Sequence, residues 1–461
     1  MEEVIKDEIK EKSDLKPKLE KNLQDFLNDF KINAKVENVL IGPTIITYEI
    51  KLEKGISIIK IKKLRDDLAL YLGTRIIDIN TRPEKKLAII ETERIEKEIV
   101  NFEDIIQTKE FKESESKLTV ALGKEICGKC KVLDIEKTSN ILISGISDSG
   151  IRMFIHTFIN SILKKSKSNE VKFLILDNKF QELAIYNGIP NLLIPVISDN
   201  KRLGALSWLC SEMENRLKIL ANNGLKDIEE YNKTQEDSKK MPKIVVIINE
   251  YADLIEIDKK QVEQYIYLLT RGAEKVGIYV ILATETPSLN LINGKVKANI
   301  STRIAFKLLS SDDSKIILDT PGAEKLFGKG DMLLKEKNET QIVRCQSSFI
   351  SDEEIQNNIN TTKQEQVIYN EDIIKELDDN EPEDTDYLDP LFMDAVEIVV
   401  EAGQVSISFL QRKLRTGYAR TSRIIDQMEE RGIISWYQGS KPREVLITKD
   451  ELEEMKNNFN K

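Results

Sequence analysis

The stretch ILISGISDSGIRMFIHTFINSIL, Ile141 to Leu163, holds the residues whose types and spacing come closest to a chemical site. An apolar strand runs into a turn of small residues, Gly145, Ile146, Ser147, Asp148, Ser149 and Gly150, and an amphipathic helix follows. Such a turn presents backbone N–H groups at a helix N-terminus, which favours a bound phosphate. In the P-loop form the turn ends Gly-Lys-Ser, with lysine on the β and γ phosphates and the hydroxyl on magnesium. Here Gly150 is followed by Ile151 and Arg152, so neither group is present. The residues alone leave three readings open: an ATP site, a lapsed one, or an ordinary strand, turn and helix.

Two other clusters could do chemistry. Cys127 and Cys130 form a C-x-x-C in ICGKC, but Cys210 and Cys345 stand apart and His156 is the one histidine. A zinc site needs a second ligand pair, so no metal site is expected and the pair reads as a turn with incidental thiols. Near the C-terminus, Arg412 to Arg443 holds eight basic residues to three acidic ones. Arg420, Thr421 and Arg423 gather at the start of a helical stretch there, and Lys441 and Arg443 lie on the hairpin after it. A recognition helix uses its N-terminal residues on base edges, and hairpin cations meet phosphates. The competing reading is a solvated helix face with a salt-bridged hairpin.

The elements that must position these groups fall into five regions. Residues 1–20 alternate Lys and Glu and read as a charged leader, frayed helix or disorder. Residues 21–120 alternate like strands around a Gly-Pro turn, with helical spacing in LRDDLALYLG, which predicts a small α+β domain. From 121 to 365 the strands NILISG, VKFLILD, KIVVIINE, GIYVILATE and TRIAFKLL alternate with helical stretches. Their near-continuous Val, Ile and Leu suit a parallel sheet covered on both faces. An acidic linker at 366–388 follows; residues 371–389 carry ten acidic residues against Lys375, without apolar periodicity. A solvated tether is expected, an acidic decoy for a basic surface being the alternative. Residues 389–461 read as three short helices and a two-stranded wing, a winged helix.

Bulk properties bound the function. A chain of 461 residues with 40% apolar and 32% charged content is expected to be globular and cytoplasmic, without a signal peptide or a membrane-spanning run. The net charge of −10 argues against an overall basic coat and places any DNA contact on local patches.

From about residue 20 onward the chain resembles the cytoplasmic motor of the FtsK/SpoIIIE DNA translocases. The resemblance rests on GPTIITYEI, on EMENRLKILANNGLKDIEEYN, NEYADL, KANISTRIAF and GAEKLFGKGDMLL, and on GYARTSRIIDQMEERG with REVL. It implies an α/β fold, namely a RecA-like P-loop NTPase core with a small N-terminal α+β domain and a C-terminal winged helix. It further implies a hexameric ring on double-stranded DNA, driven by ATP and magnesium, in chromosome partition and cell division, with possible recruitment to the division septum.

The same resemblance assigns roles at the site. The family loop G-T-T-G-S-G-K-S keeps Gly145, Ser149 and Gly150 here, while Ile151 replaces the lysine, Arg152 the magnesium hydroxyl, and Asp148 a glycine. The family's Asp-Glu pair after the third core strand is Asn249 and Glu250, leaving Glu250 as the catalytic candidate. The Gln-Arg that senses the γ phosphate is Glu285 and Thr286, and an arginine serving the neighbouring subunit becomes Glu274. The expectation is a DNA-binding family member with lost or much reduced ATP hydrolysis, acting as a clamp, a loading factor or a passive subunit beside an intact motor. The alternative is an active translocase with an atypical site in which Arg152 supplies the missing charge.

Overall fold

The N-terminal residues form a single helix, Glu2–Asp29, the helical one of the two alternatives expected for the charged leader. Leu15, Leu19, Leu23, Phe26 and Leu27 recur at helical spacing, and the last three are fully buried. That stripe anchors the helix, and the charged turns before it continue as helix. The computed structural model describes residues 2–461 except 178–181, 199–200, 338, 340, 364–365, 380–390, 415–420, 422–423, 426, 430, 436–442, 449–450, 453–454 and 456–461. Two units are formed, Met1–Asp378 and Asp379–Lys461.

In the first unit the long helix packs on four antiparallel strands, β1 (Ala34–Ile41), β2 (Ile45–Leu52), β3 (Ile76–Arg82) and β4 (Leu87–Glu93), in the order β1-β2-β4-β3. The nine-stranded sheet that follows contains β5 (Thr119–Glu125), β6 (Cys130–Asp134), β7 (Ile141–Ser144), β8 (Val171–Leu176), β9 (Lys243–Asn249), β10 (Ile278–Thr284), β11 (Thr302–Ala305), β12 (Asp331–Lys335) and β13 (Val343–Ser347). Its order is β6-β5-β13-β12-β11-β7-β10-β9-β8. The five apolar runs seen in the sequence are the parallel strands β7 to β11. Their continuous hydrophobicity has a direct cause, since Val245 and Ile247 enter one core while Ile244, Val246 and Ile248 enter the other. Helix Ile151–Lys165 covers the first face; Lys201–Asn222 and Lys259–Thr270 cover the second.

The antiparallel extension β6-β5-β13-β12 was not anticipated. Its strands are short and mix polar with apolar residues, so they lack the run that marks β7 to β11. The acidic stretch also differs from expectation. Residues Glu371–Asp379 form a helix, with Ile373 at 1% and Leu377 at 4% exposure inside the second core. Spaced four apart, these two side chains are an apolar stripe too narrow to stand out among the carboxylates. Among the described residues, no helix is long and apolar enough to cross a membrane.

The second unit has its own core. Helices Phe392–Ala402 and Ile407–Leu414 pack with Ile424, Ile425 and Met428 of a further helical stretch, and with Ile433 and Ile434. Gln404–Val405 pairs with Arg443–Glu444, and Ile434 bridges to Val445.

Candidate functional site

In the parallel sheet β7 lies between β10 and β11, so the chain leaves it in one direction and returns on the other side. The crevice beyond the carboxyl end of such a strand is where open α/β sheets bind ligands. The turn Gly145–Gly150 occupies that position. Ile146 N–H donates to Lys307 O at 2.9 Å and Ser149 N–H to Ile146 O at 3.0 Å, which closes the turn. Gly145 is required by contact: a Cβ there would stand 2.5 Å from both Phe306 Cβ and Ser149 Oγ. Gly150 is required twice over, by its φ of 113° and by the backbone of Gly330, 2.5 Å from where its Cβ would lie. Gly330 N–H donates to Ser149 O at 2.8 Å and binds the segment Phe327–Gly330 onto the turn.

Helix Ile151–Lys165 starts at the turn, and its first side chain points inward. Ile151 is 5% exposed and belongs to the core with Phe154, Phe158 and Phe306. Arg152 is exposed, with Nε 3.9 Å from a carboxylate oxygen of Glu182. Further along, His156 Nδ1 lies 2.9 Å from the Tyr186 hydroxyl. Burial, aided by Arg152, lowers that imidazole to about 4, so it is neutral at pH 7 and serves the core.

At the end of β9, Asn249 donates through Nδ2 to Asp177 Oδ1 at 2.7 Å. Asp177 is fully buried, accepts from Leu183 N–H through its other oxygen, and its carbonyl accepts from Arg202. Asn249 is therefore a fixed donor to a buried carboxylate. Glu250, at φ 88°, caps helix Tyr251–Ile257 by accepting from Ala252 N–H at 3.1 Å. It also accepts from Thr284 Oγ1 at 2.6 Å and Glu285 N–H at 2.8 Å.

Glu285 and Thr286 lie exposed just past β10. Although the residue is exposed, partial desolvation of its carboxyl raises Glu285 above the usual range, and the negative charges of Glu250, Glu182 and Asp148 add to the shift, so negative charge gathers at this crevice. Glu274 is not brought to this crevice. It sits before β10, near Tyr279 at the strand's other end, roughly 17 Å along the sheet from Thr284.

Glu182, Asp177 and two lysines at the site were missed from sequence. Lys307 follows β11 and its Cδ packs near Gly328 beside the turn, while Lys329 lies between Gly328 and Gly330. None of these four belongs to a motif of the loop or of the Asp-Glu and Gln-Arg pairs, and they come from segments distant in sequence.

In the second unit the recognition residues divide. Arg420, Arg423 and Lys441 lie outside the described residues. Thr421 is fully buried, which removes it from the base contacts expected of it, because its position faces the core beside Ile424 and Ile425. Arg443 lies with its guanidinium 2.8 Å from Glu429, the two side chains 14% and 10% exposed, which is the salt-bridged hairpin of the competing reading. Cys127 and Cys130 are free, and no group of three or more possible metal ligands occurs among the described residues.

Comparison with known proteins agrees with this architecture. Residues 2–92 match the FtsK alpha domain, 101–289 the FtsK/SpoIIIE family and 386–448 the FtsK gamma domain. A relative in Caldanaerobacter subterraneus subsp. tengcongensis, DNA translocase FtsK, is 40% identical, over 94% of this chain and 62% of its own length. DNA translocase SpoIIIE of Bacillus subtilis is 38% identical, over 95% of this chain and 56% of its own. The chain thus spans about three fifths of the length of these relatives. Among solved structures, the pCW3 conjugation coupling protein TcpA, in its monomer form with ATPγS, aligns with a TM-score of 0.53 at 22% identity. The match covers 71% of this chain and 93% of that one, a likeness of fold.

Proposed function

Since the chain belongs to the FtsK/SpoIIIE family, whose relatives are named DNA translocases, we propose that it is a double-stranded DNA-binding member in which ATP hydrolysis is lost or much reduced. The observation that carries this reading is Ile151, which buries a hydrocarbon chain in the core where the family loop sends a lysine to phosphate. Around it the groups do not fit a magnesium nucleotide. Arg152 offers no hydroxyl and faces Glu182. Asn249 is committed to Asp177, Glu250 holds three donors, and Asp148, Glu182 and Glu285 add negative charge where a polyanion would lie. Loss of a trans-acting arginine alone removes about 10³ to 10⁵ in rate, roughly 4 to 7 kcal/mol, and here Glu274 stands at that position.

Purified protein with magnesium, ATP and long duplex DNA is expected to turn over at background, and Ile151→Lys with Arg152→Ser is not expected to recover activity. Robust DNA-stimulated hydrolysis by the unsubstituted chain refutes the proposal.

A second reading, an active hexameric translocase with an atypical site, draws support from Lys307 and Lys329 flanking the turn. It requires DNA-stimulated turnover that falls when both lysines become alanine.

A further inference from the structure

We propose that the Gly42-Pro43-Thr44 turn of the N-terminal sheet positions the Gly145–Gly150 turn, and that Gln346 of β13 is the residue that relays between them. The relay is the same whether or not ATP is hydrolysed at the crevice.

The first turn is held on every side. It joins β1 to β2, and Gly42 N–H donates to Ile45 O at 2.8 Å. Each of its three carbonyls is taken: Gly42 O accepts from Arg94 Nη1 at 3.3 Å, Pro43 O from Glu98 N–H at 2.8 Å and Thr44 O from Arg94 N–H at 2.9 Å. Gly42 also lies against the hairpin between β5 and β6, where a Cβ would collide with Ile126 O. The Thr44 hydroxyl is thereby presented in one place.

That hydroxyl donates to Gln346 Oε1 at 3.2 Å, and Gln346 Nε2 donates to Lys329 O at 2.8 Å. A carbonyl only accepts, so Nε2 must face Lys329 and Oε1 is left for Thr44. Turning the amide over would lose both bonds. The next residue, Gly330, is gripped between β13 and the second turn: its carbonyl accepts from Ser347 N–H at 2.7 Å, and its N–H donates to Ser149 O at 2.8 Å. There is no slack here. A Cβ on Gly330 would stand 2.7 Å from Gln346 Nε2, and one on Gly150 would stand 2.5 Å from Gly330 N. Atoms packed this closely pass a displacement on, so a shift of the Gln346 amide moves Lys329, Gly330 and the Ser149 carbonyl together.

Lys329 is the residue the relay aims. It is exposed, at a φ of 53° that few lysines adopt, and its carbonyl is the point at which Gln346 ties this stretch down. Contact with the N-terminal sheet thus fixes the shape of the Gly145–Gly150 turn and the direction from which Lys329 approaches it.

Hydrogen exchange on the full chain tests the relay, read at the amides of 145–150 and 328–330. Thr44→Val removes the hydroxyl at nearly constant volume and is expected to raise exchange at both places about 3- to 10-fold, the worth of one net hydrogen bond. Tyr48 and Ile90, inside the N-terminal core, are expected to keep the parent's rates. Thr44→Ser retains the hydroxyl and should behave as the parent, whereas Gln346→Leu should match or exceed Thr44→Val. Parent-like exchange in Thr44→Val overturns the part given to the N-terminal turn. A rise that extends to Tyr48 and Ile90, or that Thr44→Ser reproduces, shows lost packing and overturns the relay. The threonine series decides the matter even if Gln346→Leu fails to fold.

Discussion

At the residue scale, each position of the crevice has been given a different task, and reversal of a single one should carry a cost. Asn249 shows this best. It donates at 2.7 Å to Asp177, which is completely buried. Asn249→Asp, the change that restores the family's carboxylate, puts two like charges in contact away from water. The expected loss is about 3 kcal/mol or more by urea denaturation at pH 7. A variant as stable as the parent at pH 7 would show that Asp177 is not held as a carboxylate by Asn249. Together with Ile151, whose replacement by lysine asks a core position to host a cation, this explains why piecemeal repair is expected to fail.

At the element scale, the turn Gly145–Gly150 is held by strands that come from far along the chain. Arg344 of β13 joins Asp331 of β12 at 2.7 Å and Glu91 of β4 at 3.0 Å, linking the N-terminal sheet to the nine-stranded one. Asp331 also accepts from Phe327 N–H, and the Phe327 ring receives the Arg344 guanidinium and the Lys97 ammonium at 5.7 and 5.2 Å. Three residues on, Gly330 bonds to Ser149 in the turn. The Arg344 side chain is 9% exposed and that of Asp331 1%, so Arg344→Met leaves a buried carboxylate without its partner. A loss of about 3 to 5 kcal/mol is expected in denaturant. A change under about 1 kcal/mol would mean that water reaches the pair.

At the scale of the whole molecule, two expectations concern partners. Glu274 stands where the resemblance places an arginine serving the neighbouring subunit, and Glu285 and Asp148 add carboxylates at the positions aligned with the γ-phosphate sensor and the phosphate loop, where ATP would bridge subunits. A ring made of this chain alone should therefore be weak and concentration-dependent, and sedimentation revealing a nucleotide-free hexamer at nanomolar concentration would contradict it. The second expectation concerns DNA. Residues 379–461 have their own core around Phe392, Val399, Leu410, Ile424, Ile425 and Met428, so the fragment should fold and bind duplex DNA. Arg420→Ala should cost about 1 to 3 kcal/mol on a preferred duplex and flatten sequence preference. Lys441→Ala should weaken all duplexes alike and lower the salt slope by about one. Fluorescence anisotropy at two salt concentrations separates these outcomes; equal losses on every sequence for Arg420→Ala would reassign it to phosphate.

The sequence by itself determined the parallel core, because strands buried on both faces must be apolar throughout, as Ile244 to Ile248 are. It also determined the chemistry missing from the turn, since a lysine absent at 151 is absent in any fold. Where surviving groups point was decided by tertiary structure, because burial and distance join residues the chain keeps apart. Thr421 looked like a base contact and is core; Arg443 read as a phosphate contact or part of a salt-bridged hairpin, and it pairs with Glu429. Glu182 and Asp177 reached the crevice unannounced, the first opposite Arg152 and the second beneath Asn249. Residues 371–379 looked like pure linker because carboxylates dominate their composition, yet Ile373 and Leu377 gain a place in the core only once Gly204 opens a seat for them. A charge pattern records what a segment can tolerate in water, whereas burial depends on a complementary surface that no local stretch encodes.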